Sequence, residues 1–398
     1  MNWLLLIAAF PLIWRFIGGI VPAQYVEPYA YWDAASLNTA SASGGRVPKW
    51  RNMGYWTVSR GKETAHANPK SKDETFTQAN EALALRLLQF ADAKVDGHTL
   101  DMGHGAGESL RESQLPIQFS FASVVAPSIL TTLPWLTAVI HINAGVKDLD
   151  ALTSLPSETA EAEALVDAWS AESGKAVSVN FFTASGGYRP TKDLEHPLNP
   201  MRGYMGEEKV AGQGSSGQVV FDDDDKEDKE EEDDEDAPQV DLRTTEAANP
   251  YDLVYVLDAA YHFPPAIGYF LATVLPVLRP GSGVLAYTDV LPPPALSKLP
   301  LMLTAGWLAP FLHVPRRNIN ERPATLDEYA AQLEQVGYEN VKIEDWTEHV
   351  FVPLADNLES RGAAWWAYSK VLRFAQRTGW KFVAVRASRP AIQVQASP

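Results

Sequence analysis

Leu100-Asp101-Met102-Gly103-His104-Gly105-Ala106-Gly107-Glu108-Ser109 is the stretch on which the fold turns. Residues 98–102 read as a short buried strand that runs straight into glycines at alternate positions. That composition lets a chain reverse sharply and lets a ligand approach its backbone. Upstream, Ala79, Ala82, Leu83, Leu87, Phe90 and Ala91 share one face at three- and four-residue spacing, which predicts a helix capped by Thr75 or Thr77. Downstream, a strand is expected over 136–142 and a helix over 157–171. Ser157 caps that helix, and Glu158 and Glu161 sit at its positive end. A strand over 176–182 follows. The pattern then breaks, and resumes with a strand over 252–257, a helix over 267–278 in spite of Pro276, a tight turn through Arg279-Pro280-Gly281-Ser282-Gly283, and a strand over 284–290. An amphipathic helix over 325–336 is bounded by Thr325 and Gly337. Strands over 341–346 and 380–387 flank a helix over 360–376. Strand alternating with helix predicts an α/β fold: a doubly wound sheet, mostly parallel, with helices on both faces and an antiparallel strand at one edge.

The spacing of the glycines limits what the turn can hold. A dinucleotide fingerprint needs Gly-x-Gly-x-x-Gly. Here the third glycine comes one residue early and Glu108 stands in its place. An acid, Asp101, also sits at the strand end, where a pyrophosphate gains nothing and an ammonium group gains a counter-charge. That combination points to S-adenosylmethionine, with a glycine-rich turn that binds nothing as the alternative. No Gly-x-Ser-x-Gly elbow and no His-Glu-x-x-His pair occurs, so neither a serine hydrolase nor a metal centre is indicated. Among titratable groups, His262 stands five residues beyond the strand ending at Leu257 and is the first candidate for a general base, with Tyr261 the second. The bland alternatives are a histidine hydrogen-bonded at the rim and a tyrosine that packs.

Composition excludes other classes. Of the 398 residues, 46% are apolar, with 12 Trp, 14 Tyr and 15 Phe, which is ample for a core and rules out global disorder. The net charge of −17 is mostly local: residues 222–236 hold thirteen acids and two lysines. No basic patch exists to neutralise phosphates, so nucleic acid is not an expected partner. The absence of cysteine excludes a disulfide framework, a thiolate metal site and a cysteine nucleophile.

With those residues in view, the chain resembles class I S-adenosylmethionine-dependent methyltransferases, and within them the small-molecule group of sterol, tocopherol and ubiquinone methyltransferases with their fungal relatives. Trp50-Arg51-Asn52-Met53-Gly54-Tyr55-Trp56 looks like the element that closes over the cofactor. Residues 99–107 look like the first cofactor motif. Residues 252–263, 278–285 and Asp289 look like the fourth strand, the turn after its helix, and the fifth strand. The resemblance implies a Rossmann-like sheet and S-adenosyl-L-methionine as cofactor. Asp101 and Gly103 would hold its methionine end, Gly105 and Gly107 would line its shelf, and Tyr55 and Trp56 would cover it. Asp258 would stand at the carboxyl edge of the sheet. The sequence departs from the family in two places. His141-Ile142-Asn143-Ala144 follows the expected second strand, so Asn143 would meet the ribose where an acid is usual. Thr183-Ala184-Ser185 follows the third. The implied activity is methyl transfer to a small, apolar or lipid-like acceptor. The alternatives are a catalytically inactive scaffold or binding protein and a nicotinamide-dependent oxidoreductase.

The remaining segments suggest where the chain works. Residues 3–21 are almost continuously apolar, broken by Pro11 and Arg15. They suit an interfacial anchor, a marginal span or a helix packed on the protein's own core. The location expected from them is the cytoplasmic side of a membrane such as the endoplasmic reticulum, with the cytoplasm as the alternative. The chain divides into an apolar start (1–22), a first part of the catalytic domain (23–184), a disordered acidic insertion (185–249) and a second part (250–390).

Overall fold

The computed structural model describes residues 37, 52–57, 75–93, 97–103, 112–113, 137–138, 148–154, 156–173, 178–187, 195–202, 247–263, 266–293, 322–323 and 325–392. The described elements in chain order are α1 (Phe76–Ala91), β1 (His98–Met102), β2 (Asp148–Thr153), α2 (Pro156–Ser173), β3 (Ser178–Thr183), β4 (Leu253–Val256), α3 (Ile267–Val274), β5 (Val284–Leu291), α4 (Leu326–Val336), β6 (Glu339–Asp345), α5 (Thr347–Glu359), α6 (Ala363–Arg377) and β7 (Lys381–Ser388).

The strands form one seven-stranded sheet in the order β3-β2-β1-β4-β5-β7-β6. The first five run parallel. The antiparallel pairing expected at one edge is made by β7, which inserts between β5 and the edge strand β6 and runs against both. The fold is therefore a doubly wound, Rossmann-like sheet. Its order reverses between β1 and β4, the switch point at which open α/β sheets bind ligands outside the carboxyl ends of their strands.

Local rules set most boundaries. Thr75 accepts the Gln78 amide proton while the Gln78 side chain accepts that of Thr75, a full capping box on α1. Thr325 accepts from the Glu328 amide, and Gly337, at φ 117°, ends α4. Pro276 ends α3 early, at Val274, and leaves a 3-10 turn, Leu275–Val277. Two apolar layers cover the sheet. Leu83, Leu87, Tyr255, Leu354, Leu372 and Phe382 join α1, α5 and α6 to one face. Leu100, Val254, Phe270, Leu271, Leu333 and Val385 join α3 and α4 to the other.

Three expectations need correction. The strand beside β1 is β2, Asp148–Thr153, and not residues 136–142. Of the latter, Thr137–Ala138 pairs with Glu112–Ser113 in a separate two-residue ladder. Asn143 lies outside the described residues. The second correction concerns residues 185–249, expected as a disordered insertion. Residues 195–202 of that segment pack against the sheet, with Leu198 fully buried in the core; residues 203–246 lie outside the described residues. Third, two helices, α5 and α6, separate β6 from β7 where one was expected. Pro353, inside α5, hides the first of them.

Both corrections near β2 have one physical cause. Asp150, in the middle of β2, is fully buried. Its carboxylate takes the Arg202 guanidinium at 2.5 Å, the Tyr251 hydroxyl at 2.5 Å and the Asn180 amide at 2.8 Å. Burial alone would raise its pKa. The His98, Arg202 and Tyr251 contacts outweigh it and hold the carboxyl well below the usual range. An isolated acid at this position would not stay buried, so β2 exists because the returning segment delivers Arg202. The same segment delivers His196, whose Nδ1 accepts the Leu198 amide proton at 3.0 Å, so Nε2 carries the ring proton and donates to the Ser185 carbonyl at 2.8 Å.

Candidate functional site

At the switch point β1 ends in Met102, and Gly103 turns away with φ +78°. The Gly103 amide donates to the Leu152 carbonyl of β2 at 2.7 Å. A Cβ on Gly103 would lie 2.6 Å from that of Ala259, closer than carbon atoms approach. Only glycine gives the turn both its backbone angle and its clearance. Asp101, one turn of the pleat earlier, is fully buried and in register with Tyr255 of β4. His104, Gly105 and Gly107 lie outside the described residues.

Across the switch point β4 gives way to Asp258, a non-glycine residue at φ +53°. Its amide donates to Thr288 Oγ1 of β5 at 2.7 Å. One carboxylate oxygen takes the Met53 amide and the other the Tyr261 hydroxyl, both at 2.7 Å. Burial pushes this carboxyl up to about 7, against the pull of the Tyr261 and Met53 hydrogen bonds. Asp258 thus acts as a tie: it fastens residues 52–57 and the 3-10 turn Ala260–His262 to the sheet edge. Tyr261 is almost fully buried and its proton is committed to Asp258. The partly exposed His262 ring packs on the Tyr261 ring, centroids 4.2 Å apart.

Residues 52–57 are wedged between the amino-terminal turn of α1 and that of α5. The Tyr55 amide donates to Ala79 O at 2.7 Å, and the Trp56 amide to His349 O at 2.9 Å. Gly54, at φ +74°, passes so close to Ala79 that an added Cβ would lie 2.9 Å from the alanine methyl. The Tyr55 ring stacks on His349, with centroids 4.5 Å and planes 13° apart, and burial raises its pKa. Trp56 is 1% exposed and belongs to the core, its indole N–H donating to Met53 O at 3.1 Å. The structure therefore brings Tyr55, Trp56, Asp258 and Tyr261 together through Met53. The sequence reading missed Met53, Thr288 and His349, because each acts through its backbone or through a contact between distant segments.

At the far side of β1, Thr153 ends β2 and donates through Oγ1 to Glu158 Oε2 at 2.8 Å. Glu158 is buried in the first turn of α2, where the positive end of the helix favours an acid. Ala184, after β3, donates its amide to Thr153 O at 2.9 Å. Among the described residues no cluster of three or more metal-ligating side chains occurs.

No family model and no curated protein matches the chain. Among solved structures it is similar to geranyl diphosphate C-methyltransferase from Streptomyces coelicolor A3(2), at 12% identity over 84% of this chain and 91% of that one, TM-score 0.47. The cyclopropane synthase MmaA2 from Mycobacterium tuberculosis is 13% identical over 80% and 87%, TM-score 0.43. The cyclase SpnF is 13% identical over 85% and 87%, TM-score 0.40.

Proposed function

We propose that the chain is an S-adenosylmethionine-dependent methyltransferase acting on a small, lipid-like acceptor. The observation that carries this reading is the carboxyl end of β1: a buried acid, Asp101, followed by Gly103 in a left-handed turn against Ala259, at the point where the sheet order reverses. The residues present fit the cofactor. Gly103, in a left-handed turn packed against Ala259, presents bare backbone at the strand end, where a ligand can approach it. An acid, Glu158, lies beyond the end of the second strand, and it would take the place expected of Asn143. When bound, S-adenosylmethionine supplies an electrophilic methyl group. Asp101 and Gly103 would hold its methionine end, and Glu158 would face its ribose.

The chain's own task is then alignment, since displacement at carbon needs a nucleophile held in line. Asp258 sets the position of Tyr55 through Met53, and of His262 through Tyr261. His262, partly exposed at the sheet edge, would take up the acceptor's proton; an imidazole does so near neutral pH. Tyr261 is better described as a positioning residue, because its hydroxyl is already donating. Residues 3–21 would lie in the bilayer surface with Arg15 reaching the headgroups, and so bring the site to an acceptor dissolved there. No described helix is long and apolar enough to cross a membrane, and residues 3–21 lie outside the described residues.

Calorimetry with S-adenosylhomocysteine tests the reading. The wild-type protein should bind it and ignore NAD(H). Gly103→Ala, which forces a contact at 2.6 Å, should lose binding at least about tenfold while keeping the far-ultraviolet circular dichroism of the parent. Binding of NAD(H) instead would favour an oxidoreductase. Binding of neither would favour a scaffold.

A further inference from the structure

On the opposite face of the sheet from Thr288, its neighbour Asp289 opens a second polar cluster at the carboxyl end of β5. The Asp289 side chain is fully buried and that of Arg322 is 1% exposed. Arg322 Nη1 donates to Asp289 Oδ1 at 2.5 Å and to the Val290 carbonyl at 2.8 Å. The other carboxylate oxygen takes the Tyr329 hydroxyl at 2.6 Å, and Tyr329 in turn accepts from Tyr287 at 2.7 Å. The Val290 amide also reaches Asp289 Oδ1, at 2.7 Å. Burial works to discharge Arg322, but Asp289 and the tyrosine oxygens outweigh it, so the guanidinium stays charged.

The carboxylate is satisfied; the guanidinium is not. Arg322 Nε and Nη2 are both buried and neither finds a hydrogen-bond partner among the described residues. These are not two scattered donors. They share the lateral edge of the guanidinium, where two parallel N–H bonds match the two oxygens of a carboxylate or phosphate. Everything that Arg322 does bond is on Nη1, which fixes the plane of the group and leaves the whole fork pointing away from Asp289. A buried, charged, immobilised fork with no acceptor is costly to fold unless something occupies it.

We propose that the Nε–Nη2 fork of Arg322 is the seat of an oxyanion carried by the acceptor, a carboxylate or a phosphate, with Asp289, Tyr329 and Val290 as the frame that holds it. The acceptor is then amphipathic, an apolar body with one anionic group anchored at β5 while its reacting end lies towards β1 and β4. That the occupant is the acceptor rests on the methyltransferase reading; the existence of the anion site does not.

The test uses the full chain with phenyl phosphate and octanoate as probes, and Arg322→Lys as the variant. Lysine keeps a positive charge for Asp289 but has no fork. One probe should bind wild type saturably at one site, and the variant should bind it at least about tenfold more weakly, with S-adenosylhomocysteine affinity unchanged. Which probe binds tells phosphate from carboxylate. If Arg322→Lys does not fold, the double variant Asp289→Asn/Arg322→Gln removes both charges together and serves in its place. Failure of both probes to bind wild type, or equal binding by wild type and variant, overturns the proposal. Probe binding without S-adenosylhomocysteine binding would keep the anion site and remove the methyltransferase reading instead.

Discussion

Asp258→Asn isolates the buried carboxyl that ties the amino-terminal segment to the sheet. In the folded protein this group titrates at about 7, against 3.8 for an ordinary aspartate. Between those two values the folded state holds a proton that the unfolded chain has released. The stability that Asp258 contributes is therefore complete below 3.8 and is lost as pH rises through 7. Roughly three pH units at about 1.36 kcal/mol each make that loss about 4 kcal/mol. Two other engaged carboxyls, Asp150 and Asp252, are held below their ordinary values. They withdraw stability only on the acid side, so they do not confuse this window. Asparagine keeps the size of the side chain, tolerates φ +53° and still offers an oxygen to the Met53 amide, but it does not titrate. Urea unfolding at about pH 4.5 and about pH 8, which takes in most of that span, should show the wild type losing about 3 kcal/mol and Asp258→Asn losing less than about 1 kcal/mol. Equal losses in the two proteins would refute the account of Asp258 as a desolvated carboxyl. Should the variant also release residues 52–57, amide exchange at Met53 would rise with no change at Leu100.

Arg202→Ala leaves the Asp150 carboxylate buried without its guanidinium and should cost about 3–5 kcal/mol by urea unfolding; a loss below about 1 kcal/mol would mean that Tyr251 and Asn180 suffice. Deleting residues 203–246 should preserve the melting temperature, whereas a deletion of 187–247 also removes His196, Leu198 and Arg202 and should abolish the cooperative thermal transition. Truncating residues 1–26 should release the protein from liposomes in a flotation assay and leave S-adenosylhomocysteine affinity unchanged, because the site is built from later strands; a truncated protein that stays bound would place the membrane contact elsewhere.

What could be read from the sequence follows from how far apart the deciding residues lie. β1 matches its expected span of residues 98–102 because a buried strand running into glycines is a local pattern. α1 and α4 match because a threonine cap and an apolar face fall within one or two turns. The turn at Gly103 was legible for the same reason. Asp258 was correctly placed at the sheet edge, yet its work was not visible, since its partner Met53 is 205 positions away.

The missed strand and the segment wrongly taken as wholly disordered are two sides of one interaction. Asp-Leu-Asp-Ala-Leu-Thr reads as a polar connection so long as nothing is there to neutralise Asp150. Residues 195–202 read as part of an acidic insertion so long as Leu198 has no core to enter and Arg202 no buried partner. Each reading is locally sound, and each removes the reason to doubt the other. Arg202 lies 52 positions from Asp150, beyond any window of helical or strand periodicity. A buried ion pair between segments that both look like loop therefore hides a strand from such a reading.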